Sequence, residues 1–501
     1  MVWNWKLRQQ HHDHKPQEIK KISGRLPFLG HALQLYRNPT TFLHQCKKEA
    51  GPAYRIQLGG FEFYVMTGSL IQDMLYSIRK FDNYDGIQVM MPVDRILNIC
   101  YRHKYDTDKL ITRNKNPVKL AAKKYLKPHT LGIFSNRIQE GIKRVFDVQL
   151  NLKPGEKTEL DKNGDTMPWI LAQVIALCFA GSKLGYNKDL VLATDLFSRK
   201  TVQAGMLLSV LPQWMATPFI KHFTSVEKHL DTILDVLMPE LEKMKAGEVN
   251  HEDEPTLISL VLGMKNSNGE LHTPMETAIY YARASLAGLI SPRLVVFFIL
   301  YELACQPSLA TELRMEIEKL DELTPEAIGN IKFLDSMVRE TLRLKIAPLG
   351  MFHKTTTDVV LSTGQIIPRG SLTIGTLLDA HTDPILMKKT SRLGKSPMPL
   401  DQFDPYRFVH DEDNSGVQEN DADDIDIRSS TSLGPEFLTF GLSSHACPGR
   451  HLGTLIVKNV IAEMVMRFNI TTKSGKRLPD VNDFGLALFP PEDSLILEKR
   501  A

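Results

Sequence analysis

A short loop near the C-terminus carries the residues with the clearest chemical potential. Residues 440–450 read Phe-Gly-Leu-Ser-Ser-His-Ala-Cys-Pro-Gly-Arg, and an apolar segment with helical spacing follows from Leu452 to about Phe468. A loop that leads into a helix N-terminus favours an anion, because unpaired N–H groups point at it. A thiol placed there loses its proton easily, and the thiolate is the form that binds a metal. Cys447 is therefore a candidate metal ligand, and a buried free cysteine is the alternative.

The residues around Cys447 suit a flat, charged ligand. Gly441 and Gly449 permit tight turns and a close approach of the backbone to such a ligand. Arg450 and His445 flank the cysteine and could balance negative charge on a thiolate or on carboxylates of the ligand.

Two helical segments are candidates for positioning this loop. The longest helical pattern runs from about Pro274 to Cys305, and it is apolar nearly all round from Leu294 to Leu303, as in a helix through the centre of a domain. Pro292 removes one backbone hydrogen bond from its middle and should kink it. A second, amphipathic pattern from Asn330 to Leu344 carries Glu340 and Arg343 on one face. An ordinary surface ion pair is the alternative for these two residues.

The remaining pattern predicts a mainly helical chain with a small β portion. Residues 53–58 and 61–66 are separated by Gly59-Gly60 and predict a hairpin. Residues 85–116 are irregular, which is often true of a binding loop. Residues 118–243 are mainly helical, and β-type patterns follow from residue 359 to residue 374.

The apolar segment Met206–Met215 allows two interpretations. It contains Pro212 and could be a lid over an apolar site or a patch that dips into a membrane surface. Two core helices joined at Pro212 are the alternative.

Charge and cysteine content argue against several kinds of partner and site. The net charge of +3, from 61 basic and 58 acidic residues in 501, gives no case for a nucleic-acid partner. The cysteines do not suggest a disulfide framework or a zinc site, and they favour a reducing compartment. They are odd in number, scattered and without a CxxC pair: Cys46, Cys100, Cys178, Cys305 and Cys447.

The chain divides into a tail and one large domain. Residues 1–24 predict a polar tail, residues 25–501 a single domain, and residues 411–432 an acidic surface insertion within it. No run of about 18 apolar residues occurs, so the sequence indicates neither a signal peptide nor a spanning helix. We expect the cytoplasm or the cytoplasmic face of the endoplasmic reticulum, with a peripheral membrane contact.

The order of these motifs resembles the cytochrome P450 family. The long helix with Ala287-Gly288 comes first, Glu340-x-x-Arg343 follows, then Phe-Asp-Pro-Tyr-Arg-Phe at 403–408, and finally the Cys447 loop. The similarity runs from the Pro27 region to the C-terminus, and His-Ala-Cys-Pro-Gly-Arg is similar to the fungal branch. The resemblance implies a mainly α fold with small β-sheets and a haem between the long helix and the cysteine loop.

The resemblance also assigns roles to individual residues. It makes Cys447 the axial thiolate ligand of the iron of haem b, with Phe440 packed beside both. It places His445 and His353 near the haem propionates, although a structural histidine is an equal alternative for His353. It implies a buried network of Glu340, Arg343 and Arg407 that holds the cysteine side of the fold, with a positional role because buried charges are costly.

The sequence departs from the family pattern in the cysteine loop, just after that loop, and in the long helix. Ser443 stands where a glycine is usual, so the loop must hold a serine in a costly conformation, and Gly453 replaces an alanine. In the long helix the pattern Ala-Gly-x-acid-Thr-Thr becomes Ala-Gly-Leu-Ile-Ser-Pro over residues 287–292. Ile290 replaces the acid, while Ser291 keeps a hydroxyl that could relay protons through water.

We therefore expect a haem-thiolate monooxygenase that oxidises a lipophilic terpenoid- or steroid-like metabolite with electrons from an NADPH-dependent reductase. A haem-thiolate isomerase or dehydratase, or a haem-free lipid-binding helical protein, are the alternatives. If Arg283 faces the pocket, it could pair with a substrate carboxylate; a solvated residue is the alternative. By resemblance, the substrate contacts are Arg283, Ala284, Ala287, Ile290, Ala347, Leu349 and Leu488.

Overall fold

The fold was analysed in a computed structural model. It describes residues 18–27, 29–58, 60–77, 79–101, 117–162, 164–208, 213–248, 255–266, 269–387, 398–409, 429–443 and 446–501. Most of the predicted acidic insertion, Pro212 and most of the predicted N-terminal tail lie outside the described residues.

Helices make up most of the described chain. They are α1 Ala32–Arg37, α2 Pro39–Ala50, α3 Leu70–Tyr76, α4 Asn83–Met90, α5 Val93–Tyr101, α6 Pro117–Tyr125, α7 Gly132–Gln149, α8 Thr166–Ala180, α9 Ser182–Gly185, α10 Lys188–Leu208, α11 Ala216–Phe223, α12 Val226–Ala246, α13 Leu257–Leu262, α14 Pro274–Cys305, α15 Pro307–Ile317, α16 Pro325–Gly329, α17 Lys332–Leu344, α18 Leu377–His381, α19 Pro384–Met387 and α20 Arg450–Arg467.

The strands form small sheets beside the helices. They are β1 Ala53–Leu58, β2 Phe61–Met66, β3 Phe81–Asp82, β4 Lys157–Leu160, β5 Leu349–Thr355, β6 Val359–Val360, β7 Ile366–Ile367, β8 Leu372–Thr376, β9 Phe468–Thr472, β10 Val481–Asp483, β11 Ala487–Phe489 and β12 Leu495–Lys499. The largest sheet has the order β1-β2-β8-β5-β3, and only its β2–β8 pair is parallel. The predicted hairpin is confirmed as β1 and β2.

Helix α14 runs through the centre of the helical region, as the sequence predicts. It begins with a capping box in which the Thr273 side chain accepts the Glu276 N–H and the Glu276 carboxylate accepts the Thr273 N–H. Pro274 occupies the first helical turn, where its missing N–H costs nothing. Among the described helices, α14 meets the length and hydropathy criteria for crossing a membrane, but more than half of its apolar window is buried in this core.

The segment expected to be irregular contains two helices, α4 and α5, over its described part. The Asp82 side chain accepts the Asp85 N–H and thereby caps α4. Gly86 brings α4 so close to β5 that a Cβ atom there would lie 2.4 Å from the backbone of His353. Helix α4 is short and contains a glycine, which weakens its helical pattern, whereas α5 is amphipathic and its pattern was missed in the sequence.

The C-terminal ends of the predicted polar tail and of the predicted acidic insertion both differ from the prediction. Ile19 and Ile22 are buried, and Ile22 N–H donates to the Arg55 carbonyl of β1 at 2.9 Å, so the described end of the predicted tail packs on the sheet. Ser430 is fully buried, and its hydroxyl donates to Asp335 at 2.5 Å. The last residues of the predicted surface insertion therefore belong to the folded core, because small polar residues there satisfy a carboxylate on α17.

Candidate functional site

A cavity of about 300 Å³ lies between α14 and the loop that enters α20. Its described walls are mostly apolar, and they also carry a thiol, an arginine and the hydroxyl groups of Ser291, Thr439 and Thr454. The lining residues are Ala122, Leu126, Ile175, Phe179, Leu257, Ala284, Ala287, Gly288, Ser291, Pro292, Val295, Val338, Leu342, Thr439, Phe440, Cys447, Pro448, Gly449, Arg450, Leu452, Gly453, Thr454 and Val457.

The cysteine loop is held by its own backbone. The Cys447 N–H donates to the Phe440 carbonyl at 2.7 Å, and the Ala446 N–H donates to the Ser443 carbonyl at 3.2 Å. Gly441 has φ +70°, and Ser443 has φ +55°, which confirms that this serine adopts the conformation expected for a glycine. These bonds turn the loop back on itself and bring Cys447 and Phe440 to the same cavity.

The surroundings of Cys447 have opposing effects on the pKa of its thiol. Burial raises the pKa of the Cys447 thiol, because a charged sulfur is costly away from water. The N–H groups of Gly449 and Arg450 and the positive charge of Arg450 lower that pKa. The site thus supplies donors for a thiolate, and a bound metal ion would add a positive charge that opposes the effect of burial.

Arg450 is anchored rather than free. Its Nε donates to the Thr431 carbonyl at 2.9 Å, and its Nη1 donates to the Cys447 carbonyl at 3.1 Å. Its guanidinium therefore braces the loop as well as lining the cavity. His445, the other predicted charge-balancing residue, lies outside the described residues.

The opposite wall is one face of α14. Ala284, Ala287, Gly288, Ser291 and Pro292 line the cavity there. Because Pro292 has no N–H, the carbonyl of Gly288 lacks its usual helical donor. A Cβ atom on Gly288 would lie 3.1 Å from Ile175, so glycine allows α8 to pack closely behind this wall.

The predicted charged network is assembled and buried. Arg343 donates to both oxygens of Glu340, through Nε at 2.7 Å and Nη2 at 2.8 Å. Arg407 Nε donates to Glu340 Oε1 at 3.1 Å, and the Asp404 N–H donates to the same oxygen at 3.0 Å. The side chains of Glu340 and Arg343 have no exposed surface. Every carboxylate oxygen is paired, which is the condition for keeping such charges inside a protein.

Several predicted pocket residues lie outside the described cavity lining. Arg283 Nη2 is paired with Asp94 Oδ1 at 2.9 Å, and Ile290 is partly buried against the main helical core. Leu349 is buried in a separate core beside the largest sheet, Leu488 lies on β11, and Ala347 lies between α17 and β5.

His353 likewise lies outside the described lining. It is buried on β5, with Nδ1 2.7 Å from the Met351 carbonyl and its ring edge-on to Phe81.

The structure adds wall residues that the sequence did not indicate. Ile175 and Phe179 come from α8, and Ala122 and Leu126 come from α6 and its C-terminal end. Helix α8 is buried on nearly all sides, so its amphipathic pattern could not show which residues face a cavity.

The donor set fits a haem group. A single thiol faces an apolar cavity beside two glycines that leave room: Cβ atoms on Gly449 and Gly453 would meet no heavy atom closer than 4.0 Å. Phe440 provides an apolar surface next to the thiol, and Arg450 provides a positive charge near it. If haem binds here, Cys447 is the residue of this lining that would hold the iron through sulfur, and Phe440 would add apolar surface beside it.

Comparisons with known proteins identify the family of the chain. The family described as Cytochrome P450 matches residues 21–497. The chain is 23% identical to cytochrome P450 monooxygenase CYP512U6 of Ganoderma lucidum over 473 residues, which cover 91% of this chain and 87% of that protein. It is 24% identical to monooxygenase gliF of Aspergillus fumigatus, over 72% of this chain and 71% of that protein.

A solved structure shows the same fold. Retinoic acid bound cyanobacterial CYP120A1 aligns with a TM-score of 0.66 and 18% identity, covering 97% of this chain and 100% of that one. The predicted fold, mainly α with small sheets, is confirmed. Because the family match extends over residues 21–497, nearly the whole chain, this protein belongs to the cytochrome P450 family of monooxygenases.

Proposed function

We propose that this protein uses Cys447 as the axial ligand of haem b and inserts one oxygen atom of dioxygen into a lipophilic small molecule. The single observation that carries the proposal is the placement of the Cys447 thiol in an apolar cavity opposite Ser291 of α14. When bound, thiolate-ligated haem supplies the chemistry of oxygen activation. The electrons come from NADPH through a reductase partner.

The residues of the chain have separate tasks in this reaction. The N–H groups of Gly449 and Arg450 stabilise negative charge on the Cys447 sulfur. The Ser291 hydroxyl donates or accepts a proton on the cavity side of α14, together with water that the free carbonyl of Gly288 can bind. The apolar walls exclude bulk water and orient the substrate.

The wall composition supports the substrate class. Ile175, Phe179, Leu257, Ala284 and Val295 offer apolar surface and no charge. We propose a terpenoid- or steroid-like substrate, because such molecules are large, apolar and poor in charged groups. Arg283 is paired with Asp94, which gives no support to a carboxylate on the substrate.

A second candidate is a haem-thiolate isomerase or dehydratase that needs neither dioxygen nor a reductase. It is favoured by one observation: the described cavity lining contains no carboxylate, and Ile290 replaces the acid of the family pattern. Turnover that requires NADPH and reductase supports the monooxygenase, whereas turnover without them supports the isomerase.

The exposed apolar residues around α11 support a peripheral membrane contact. Trp214 is 78% exposed and Phe223 is 79% exposed, and the rings of Phe219 and Phe223 stack. Lys221 and His222 lie in the last turn of the same helix. We propose that this surface rests on the cytoplasmic face of the endoplasmic reticulum, where the reductase partner would meet the protein.

The ligand assignment is tested with Cys447→Ser. The haem-loaded parent protein is expected to show the carbon-monoxide difference band of a thiolate-ligated haem, and the variant is expected to lose both the band and turnover. Cys178→Ser is the matched control, because Cys178 is a fully buried thiol on α8 outside the described lining. A Cys447→Ser protein that keeps the parent spectrum overturns the proposal.

A further inference from the structure

His381, the last residue of α18, uses both ring nitrogens on backbone groups. It is fully buried. Its Nδ1 lies 2.8 Å from the Arg343 carbonyl, which can only accept, so Nδ1 carries the proton. Its Nε2 therefore has a lone pair, and it accepts the Leu438 N–H at 2.8 Å. These two bonds fix the neutral tautomer of the ring.

A second hydrogen bond joins the same two residues in the opposite direction. Arg343 Nη1 donates to the His381 carbonyl at 2.8 Å, while its other two donor groups are held by Glu340. The ends of α17 and α18 are thus joined by reciprocal bonds between the same two residues. His381 is the member of this pair that reaches beyond the charged network.

From His381 a continuous set of contacts leads to the cysteine. Its ring stacks on Phe437 with centroids 5.9 Å apart, and Phe437 meets Phe440 edge-on at 6.1 Å. The Phe440 carbonyl accepts the Cys447 N–H at 2.7 Å. The N–H that His381 accepts belongs to Leu438, which lies two residues before Phe440.

We propose that His381 is a positioning residue that joins the Glu340–Arg343 network to the Cys447 loop and fixes the sulfur for ligation. Its imidazole provides the acceptor for a buried N–H of the loop, and without that acceptor the loop must rearrange to satisfy the donor. The inference rests on the proposed ligation of haem by Cys447. It goes beyond the charged network itself, which consists of the side chains of Glu340, Arg343 and Arg407.

The test compares His381→Phe with His31→Phe. Phenylalanine keeps a ring for packing but removes both hydrogen bonds. His31 is a matched control because it is also fully buried, with Nε2 3.2 Å from the Ser23 carbonyl and Nδ1 accepting the Gln57 N–H at 3.1 Å. It lies beside β1, and both hydrogen-bond partners of its ring, Ser23 and Gln57, are far from the cysteine loop in the sequence.

Two readouts separate positioning from general stability. The first is the fraction of haem-loaded protein whose carbon-monoxide complex has the thiolate-type band, measured well below the unfolding temperature of each variant. The second is hydrogen exchange at the Leu438 and Cys447 amides. In His381→Phe we expect the thiolate-type fraction to fall to less than about half, and exchange at these amides to accelerate at least about tenfold. In His31→Phe we expect both values to match the parent.

Two further variants, His381→Gln and His381→Asn, keep the test decisive if His381→Phe does not fold. The amide oxygen of His381→Gln can still accept the Leu438 N–H, whereas the shorter His381→Asn can keep only the bond to Arg343. We expect a higher thiolate-type fraction in the glutamine variant than in the asparagine variant. Equal fractions, or equal exchange rates in His381→Phe and His31→Phe, overturn the inference. A parent protein without the thiolate-type band would refute the proposed function instead, and the exchange measurement would still report on His381.

Discussion

Arg283 on α14 and Asp94 on α5 form an ion pair, with 2.9 Å between Arg283 Nη2 and Asp94 Oδ1. The Tyr84 hydroxyl donates to the other Asp94 oxygen. Burial raises the pKa of the Asp94 carboxyl, and the charge of Arg283 lowers it again. The arginine that the sequence offered as a partner for a substrate carboxylate therefore already holds a carboxylate of its own chain.

Arg283→Met should destabilise the protein by about 3 kcal/mol, because it leaves Asp94 mostly buried and unpaired. Urea unfolding measures the change. The double variant Arg283→Met with Asp94→Leu should recover most of the loss, since it removes both charges. A single variant that is as stable as the parent but loses only carboxylate-bearing substrates would show that Arg283 binds substrate instead.

Glu340→Gln should lower the free energy of unfolding by about 3–5 kcal/mol and reduce haem retention, because it leaves two buried arginines without their shared carboxylate. The haem-to-protein ratio and urea unfolding report the two effects. Glu159→Gln is the control: Glu159 pairs with Lys473 at the surface, at 2.8 Å, and should show no measurable change. Equal stability of the two variants would contradict a structural role for the network.

Ser291→Ala should reduce the yield of oxidised product per NADPH by at least about tenfold, because it removes the hydroxyl of the cavity wall that can relay protons. Ser285→Ala is the control, since Ser285 is buried on the same helix outside the described lining and should leave the yield unchanged. Product and NADPH are quantified in the same reaction. A parent-like yield in Ser291→Ala would remove this residue from proton delivery.

The stability difference between the parent and His381→Phe should shrink on acidification. Burial lowers the pKa of His381 to about 3 from 6.5, with further lowering by the charges of Arg343 and Arg339, although the bond to the Arg343 carbonyl opposes this. The unfolded parent therefore binds a proton below pH 6.5 while the folded one does not.

The contribution of the neutral His381 ring to the free energy of unfolding is complete above pH 6.5 and is lost between pH 6.5 and about 3. The difference in free energy of unfolding between the parent and His381→Phe should fall by about 1.4 kcal/mol per pH unit within this range. Urea unfolding at pH 7.5, 6 and 5 checks it, and a difference independent of pH would contradict a neutral buried ring.

Replacing both Trp214 and Phe223 with alanine should weaken binding to phosphatidylcholine–phosphatidylserine vesicles at least about tenfold, because two large exposed rings lose their contact with lipid. Vesicle flotation measures the bound fraction. Val148→Ala is the control, because Val148 is 69% exposed on a different helix, α7. Similar loss in the control would place the membrane contact elsewhere.

Much of this arrangement could be predicted from local sequence. The capped, apolar pattern of α14 and the spacing of Glu340 and Arg343 are local features, and the resemblance connected them with Arg407 and Cys447. Both the helix and the buried network have the predicted composition.

Other features depend on long-range packing and could not be predicted. Ile175 and Phe179 reach the cavity because α8 packs behind Gly288, and no local period indicates this. His381 gives no motif of its own, since its importance comes from Leu438, which is 57 residues away in the chain. Arg283 was assigned to the pocket by resemblance, and its partner Asp94 lies on α5, in a segment that was expected to be irregular.

Pro292 also limits what a single substitution can change in α14. An acid introduced at position 290 would still stand two residues before a residue without an N–H, so the Gly288 carbonyl would still lack its usual helical donor. Adding a carboxylate to this helix and restoring its regular hydrogen bonding are therefore two independent changes.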